Sequence, residues 1–237
     1  MATRKSNSKR SVSATVRRAA RRAPYDKVLI VCEGTKTEPS YFRDLIKVHD
    51  ISSVNVRISG ECGAAPTSVV EYAIALAQNE AKSGEPFDRV YCVFDRDSYH
   101  LATQKQVYQA ALARIDEENQ EKLVFYVGNS VPSFEYWRLL HFCETLRPFA
   151  AQGKKSVGDM VLKELKKYWT NYEKGLLRPY QYLKTSLPNG EAIAIERARK
   201  ALKHAQLVGD ANPSTKVHEL VEYLIHIKGP QDTSQAD

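Results

Sequence analysis

The amino-acid sequence predicts an α/β fold, a mainly parallel sheet with a C-terminal helical layer. Up to residue 150, short apolar runs alternate with segments of helical periodicity, and beyond residue 150 no further strand-like run occurs. Strands separated by helices imply right-handed crossovers, and such crossovers produce a parallel sheet. The 237 residues, 43% of them hydrophobic, suffice to bury one sizeable core.

Four segments rich in apolar residues are predicted to be strands, and the first of them is a continuous apolar run, which is typical of a strand covered on both faces. They are Lys27–Cys32, Val54–Ser59, Arg89–Phe94 and Lys122–Val127. Between them we predict three helices. One begins at Glu38-Pro39, one begins at Pro66 and one covers residues 103–118, and proline suits a first helical turn. The expected strand order in the sheet is 2-1-3-4.

The remaining chain is predicted to turn at residues 128–132 and then to be helical. The predicted helices cover Ser133–Cys143, Lys154–Tyr172, Glu191–Leu207 and Pro213–Lys228. The last one carries a regular apolar stripe, and Asn212–Thr215 supplies capping residues and a first-turn proline for it. The sequence thus divides into a tail (1–23), an α/β domain (24–150) and a helical region (151–237). The helical region either packs on the sheet or forms a separate subdomain.

The first 23 residues are predicted to be a disordered basic tail. Eight basic residues and no acidic residue precede Asp26, whereas the rest of the chain holds 27 basic and 28 acidic residues. A segment with so few large apolar residues cannot bury enough surface to offset its ordering entropy. The tail can serve as an arm that binds nucleic acid, with Arg17, Arg18, Arg21 and Arg22 as the candidate contacts. A solvated tail, a partly formed helix and a transit peptide are the alternatives.

The cysteines and the hydropathy pattern predict a cytoplasmic protein. The four cysteines form no CxxC pair, which favours reduced thiols over a disulfide scaffold or a zinc ribbon. No apolar run approaches the roughly 18 residues that a membrane span requires. The charged start of the chain also lacks the apolar segment of a secretory signal.

Acidic residues follow two of the predicted strands. Glu33 comes directly after the first strand, and Asp95 and Asp97 follow the third. Strands one and three are neighbours in the expected order, so these carboxylates should meet at the carboxyl edge of the sheet. Three carboxylates with no cationic partner in the surrounding motifs would repel one another, and Mg²⁺ or Mn²⁺ would offset that repulsion. The alternative is that Asp97 caps the next helix.

Four segments in this order resemble the RloB family, whose members look like Toprim-domain proteins linked to restriction and abortive-infection loci. They are VLIVCEGTKTEPSYF, VYCVFDRD, NSVPSFEYWRLLHF and NPSTKVHELVEYL. The resemblance covers roughly residues 27–227 and implies a Toprim-like, Rossmann-like sheet. It also implies that Glu33 is the general acid or base and sometimes a metal ligand, and that Asp95 and Asp97 bind magnesium.

Further candidate residues follow from the same segments. Glu38 matches a second acid of the family and is a candidate ligand for a second metal or a water, whereas Thr35 stands where the family commonly has an acid. Glu135 is either a ligand from beyond the fourth strand or a first-turn glutamate that complements the helix dipole. Lys36 is a candidate contact to the scissile phosphate, or a solvated loop lysine. Arg96 either faces phosphate or balances the aspartates.

Two functions remain open from the sequence. The first is a metal-dependent nuclease that hydrolyses DNA or RNA in anti-phage defence. The second is a non-catalytic nucleic-acid-binding or regulatory subunit of a defence complex. The other known Toprim activities, topoisomerase and primase, need large additional domains for which this chain has no room. No Walker A motif is present, and the resemblance implies a separately encoded ATPase as partner.

Overall fold

The computed structural model describes residues 26–53, 55–63, 65–96, 102–120 and 124–227. Their central element is a four-stranded sheet, formed by β1 (Val28–Cys32), β2 (Val56–Ser59), β3 (Arg89–Val93) and β4 (Phe125–Val127). Every pairing in it is parallel, and the strand order is β2-β1-β3-β4. The structure therefore confirms the predicted α/β fold and the predicted order of the strands.

Eight helices lie within the described residues. Those up to residue 139 are α1 (Thr37–Val48), α2 (Pro66–Lys82), α3 (Ala102–Gln120) and α4 (Phe134–Leu139). Those beyond it are α5 (Val157–Leu165), α6 (Pro179–Ser186), α7 (Gly190–Val208) and α8 (Val217–His226). None of these helices is long and apolar enough to cross a bilayer.

The sheet is covered on both faces, as its continuous apolar strands predict. Leu29 and Val31 of β1 pack with α2 and α3. The intervening residues Val28 and Ile30 point to the other face and share a core with α1, α4, α5, α7 and α8, because successive side chains of a strand alternate between faces. The helices beyond residue 150 therefore belong to the same core as one face of the sheet.

The expectation that no strand lies beyond residue 150 is wrong. A short strand β6 (Ser214–Thr215) pairs antiparallel with β5 (Ser130–Val131), a segment predicted to be a turn. Strands β5 and β6 have two residues each and contain hydroxyl side chains, so neither forms an apolar run that would predict a strand. The expected capping segment Asn212–Thr215 thus contributes a strand, and α8 begins only at Val217, whose N–H donates to Thr215 Oγ1 at 3.1 Å.

Helices α4 and α5 end earlier than predicted, and one helix, α6, was not predicted. Helix α4 has six residues and ends at Leu139, and α5 ends at Leu165 because the chain then turns to bury Trp169 and Tyr172. The start of α5 is set by a capping box between Ser156 and Asp159. Helix α6, which has only eight residues, lay in a segment with no helical periodicity long enough to recognise.

The hydroxyl of Thr215 should contribute measurably to stability. It is fully buried, lies 3.0 Å from Ser130 Oγ across the β5–β6 pair and accepts from Val217 N–H. Thr215→Val would leave these buried polar groups without their partner, so we expect a loss of about 1–3 kcal/mol in the free energy of unfolding. Urea denaturation tests this. Thr215→Ser, which keeps the hydroxyl, is the matched control, and equal losses in both variants would contradict the prediction.

Candidate functional site: the carboxyl edge of the sheet

Glu33 and Asp95 meet where β1 and β3 end. The Glu33 N–H donates to the Val93 carbonyl at 2.9 Å, which extends the β1–β3 ladder by one residue. The Asp95 N–H then donates to Glu33 Oε2 at 2.8 Å. Both acidic residues are half-buried. The Glu33 carboxylate is thus fixed by the backbone of the neighbouring strand, and the structure brings these two predicted residues together.

The carboxylate of Asp95 holds the start of α4. Its Oδ2 accepts a hydrogen bond from the Phe134 N–H at 3.0 Å, and Phe134 is the first residue of α4. The first N–H groups of a helix have no partner within the helix, so an acid at this place satisfies one of them. Asp95 therefore links the end of β3 to the helix that carries Glu135.

Glu38 and Glu135 form a second acidic pair, each in the first turn of a helix. Their exposed fractions are 8% and 2%. Burial raises the pKa of Glu38, and repulsion from Glu135 raises it further, while Arg138 and Lys174 oppose that rise. A Cβ on Gly34 would lie 2.9 Å from Glu38 Oε2, so any larger residue at position 34 would displace this carboxylate.

Two cations, Lys174 and Arg138, accompany the second pair. Lys174 Nζ lies 3.8 Å from Glu135 Oε1. Arg138, within the SFEYWRLLHF segment, is 1% exposed and donates to the Thr37 carbonyl at 3.0 Å and to Tyr172 OH at 2.5 Å. The Tyr172 hydroxyl in turn donates to Glu135 Oε1 at 3.2 Å. A chain of hydrogen bonds therefore runs from Arg138 to Glu135.

Sequence reasoning missed these three residues for different reasons. Arg138 is a charged residue in an otherwise apolar helix, and that contrast is a usable signal of a buried, paired cation. Tyr172 and Lys174 lie between α5 and α6, in a segment without a motif. Only the folded chain brings them to the acids.

Lys36 and Arg96 are the other predicted site residues that the structure describes. Lys36 is exposed at the start of α1, with its side chain beside Gly175. The guanidinium of Arg96 lies 5.0 Å from the ring centre of Tyr108. The remaining predicted residues, Asp97, Arg17, Arg18, Arg21 and Arg22, lie outside the residues that the structure describes.

The donors at this edge fit a hard divalent cation. All four described acids offer carboxylate oxygens, which suit Mg²⁺ or Mn²⁺ better than softer metals. Nowhere in the described part of the chain do three or more His, Cys, Asp or Glu side chains gather as one metal-binding group. Mg²⁺ commonly uses only one or two carboxylates and completes its shell with water. The pair of Glu33 and Asp95 matches that requirement.

Comparison with known proteins identifies one family. The profile described as RloB-like protein matches residues 28–224, which is most of the chain and contains all four described acids. No curated protein and no solved structure matches the chain. Because the match covers most of the chain, from β1 into α8, the chain belongs to the RloB-like family.

Proposed function

We propose that this protein is a metal-dependent nuclease that hydrolyses phosphodiester bonds of DNA or RNA in anti-phage defence, as in abortive infection. The contact between Asp95 N–H and Glu33 Oε2 at 2.8 Å carries the proposal. It brings the Glu33 carboxylate to the backbone of Asp95 at the carboxyl edge of a parallel sheet, where ligands of open α/β folds bind. Membership in the RloB-like family is consistent with it.

In this proposal Asp95 and Asp97, with Glu33, hold Mg²⁺ or Mn²⁺, and Glu38 and Glu135 serve a second ion or a bound water. The metal would polarise the phosphodiester and lower the pKa of an attacking water. Glu33 acts as the general base or acid, and the Asp95 amide keeps its carboxylate in a fixed orientation. Such positioning is a large part of what general acid–base catalysis requires.

The surrounding residues complete the site. Lys36, exposed in the β1–α1 connection, contacts the scissile phosphate, and Arg96, which directly follows Asp95, faces phosphate as well. The hydrogen bond from Tyr172 to Glu135 holds that carboxylate toward Glu38. The basic tail, with Arg17, Arg18, Arg21 and Arg22, adds salt-sensitive attraction to the polyanion.

The proposal includes a cytoplasmic location and a separately encoded ATPase as partner. The chain has no Walker A sequence of its own, so nucleotide-dependent gating in a defence complex would have to come from another subunit. In that arrangement this chain supplies the hydrolytic site, and the ATPase controls its access to substrate.

The proposal predicts cleavage that depends on both a divalent metal and Glu33. Purified protein with Mg²⁺ or Mn²⁺ should cut a panel of plasmid DNA, single-stranded DNA and tRNA, and chelation by EDTA should abolish the cleavage. Glu33→Gln should also abolish it, because the amide can neither take a proton nor balance a cation. Glu196→Gln, which changes an exposed glutamate on α7, should retain full activity. Cleavage that survives Glu33→Gln would contradict this assignment.

A further inference from the structure

Neighbouring cavities surround Arg43 on the exposed side of α1. Three cavities of about 260, 340 and 460 Å³ lie there, and Arg43 lines all of them. Thr35 joins the first cavity to the second, and Lys47 joins the second to the third. We call this the basic groove. Its basic residues are Lys36, Arg43, Lys47, Arg57 and Arg178.

The charge of the basic groove is largely uncompensated within the described residues. Lys36, Arg43, Lys47 and Arg178 are exposed, and none of them takes part in the ion pairs that the described side chains form. Arg57 is the exception, with Glu80 at 3.7 Å. Exposed cations clustered along one groove attract a polyanion.

The acids that border the groove do not cancel this charge. Asp44 lines the middle cavity, but it is buried and its Oδ2 accepts the Gln181 N–H at 2.8 Å. That contact anchors the start of α6 to α1. Glu61 lines only the first cavity, where Arg43 and Arg57 face it. The middle cavity therefore keeps an excess of positive charge, from four basic residues against one acid.

The groove leads to the acidic edge of the sheet. Thr35 and Lys36, which line it, follow Glu33 and Gly34 directly in the chain. Its far wall is the segment that precedes α6, and Ser40 Oγ donates to the Leu176 carbonyl of that segment at 3.1 Å. The same segment carries Lys174, which contacts Glu135. A chain-like ligand lying in the groove would therefore contact the connection that directly follows Glu33.

We propose that the basic groove binds the phosphate backbone of the nucleic-acid strand that the acidic edge cleaves, an inference that rests on the proposed function. Arg43 and Lys47 are four residues apart on α1, so they present neighbouring cations on one helix face. Lys36 and Arg178 line the same cavity as these two cations. Contacts of this kind set the position of a strand without reading its bases, because they engage phosphates alone.

Binding can be measured apart from cleavage. The full-length chain carrying Glu33→Gln is titrated with a short labelled single strand, of DNA and of RNA, and fluorescence anisotropy is followed between about 0.05 and 0.3 M salt. A second protein carries Arg43→Ala and Lys47→Ala in addition to Glu33→Gln, and it therefore lacks two of the proposed phosphate contacts. The slope of log affinity against log salt should then fall by about 1.4, which corresponds to roughly 20-fold weaker binding near 0.1 M salt.

A matched pair of substitutions controls for the loss of net charge. Lys163→Ala with Lys166→Ala removes two exposed lysines at α5, and this variant should keep the original affinity and salt slope. Thermal unfolding establishes that both double variants remain folded. The proposed role of the groove is contradicted if Arg43→Ala with Lys47→Ala leaves the slope of log affinity against log salt unchanged. It is also contradicted if the parent chain binds neither the DNA strand nor the RNA strand.

The two proposals fail in different ways. If the groove variant loses binding but wild-type protein shows no Glu33-dependent cleavage, the proposed nuclease activity is contradicted. The groove is then still supported as a nucleic-acid-binding surface. If wild-type protein cleaves and the groove variant binds as tightly as its parent, the proposed nuclease activity is supported. The proposed binding role of the groove is then contradicted.

Discussion

Asp95→Ala should reduce the rate of nucleic-acid cleavage by about 10³-fold or more and should also destabilise the fold. The rate falls because the variant loses a carboxylate at the proposed metal site, where a bound cation supplies several kcal/mol of transition-state stabilisation. Stability falls because Phe134 N–H loses its acceptor at the start of α4. Loss of such a capping contact costs about 1 kcal/mol.

Asp95→Asn separates these two effects. The amide oxygen of asparagine can still accept from Phe134 N–H, so stability should return close to that of the wild type. The charge is lost in both variants, so cleavage by Asp95→Asn should be as slow as cleavage by Asp95→Ala. The affinity for Mn²⁺, measured by calorimetric titration, should fall in both. An asparagine variant that cleaves at the wild-type rate would show that Asp95 acts only as a structural cap.

The meeting of Glu33 with Asp95 could be predicted because it follows from topology. The apolar runs mark where β1 and β3 end, and helical crossovers make the strands parallel and bring their carboxyl ends to one edge. The acids directly after those runs must then be neighbours. No side-chain packing had to be known for this part of the site.

The cations around Glu135 depend on packing and could not be predicted in the same way. Lys174 and Tyr172 reach this acid from the connection between α5 and α6, which carries no motif. The β5–β6 pair posed a similar difficulty, since two-residue strands depend on one partner 85 residues away rather than on a local pattern. Periodicity reports which face a residue lies on, but not which distant loop covers it.

Arg138→Ala should lower the free energy of unfolding by about 3–5 kcal/mol, the largest stability effect that we expect in this protein. Its guanidinium is almost fully buried, hydrogen-bonds to Thr37 and Tyr172, and lies 5.3 Å from the Phe134 ring centre. Removing a buried charge leaves its partners desolvated and unpaired. It also removes a positive charge that lowers the pKa of Glu38, so that carboxyl should become harder to ionise.

Urea denaturation measures this loss, with Arg147→Ala as the control because Arg147 is exposed. Substitution of an exposed residue away from buried contacts should change stability by no more than about 0.5 kcal/mol. Arg138→Lys should recover only part of the loss, since an ammonium cannot reproduce the two-pronged contact of the guanidinium. Similar values for Arg138→Ala and Arg147→Ala would contradict the proposed role of the buried cation.

A double-mutant cycle tests whether Arg138 acts on the acids through Tyr172. Tyr172→Phe removes only the hydroxyl that accepts from Arg138 and donates to Glu135. If the three groups form one network, the two substitutions should be coupled by about 0.5–3 kcal/mol, because each already disrupts what the other would remove. Strict additivity would mean that Arg138 supports the helix packing alone. Coupling would instead show that the buried Arg138 influences the Glu135 carboxylate through Tyr172. The acidic edge would then depend on a residue that does not contact substrate.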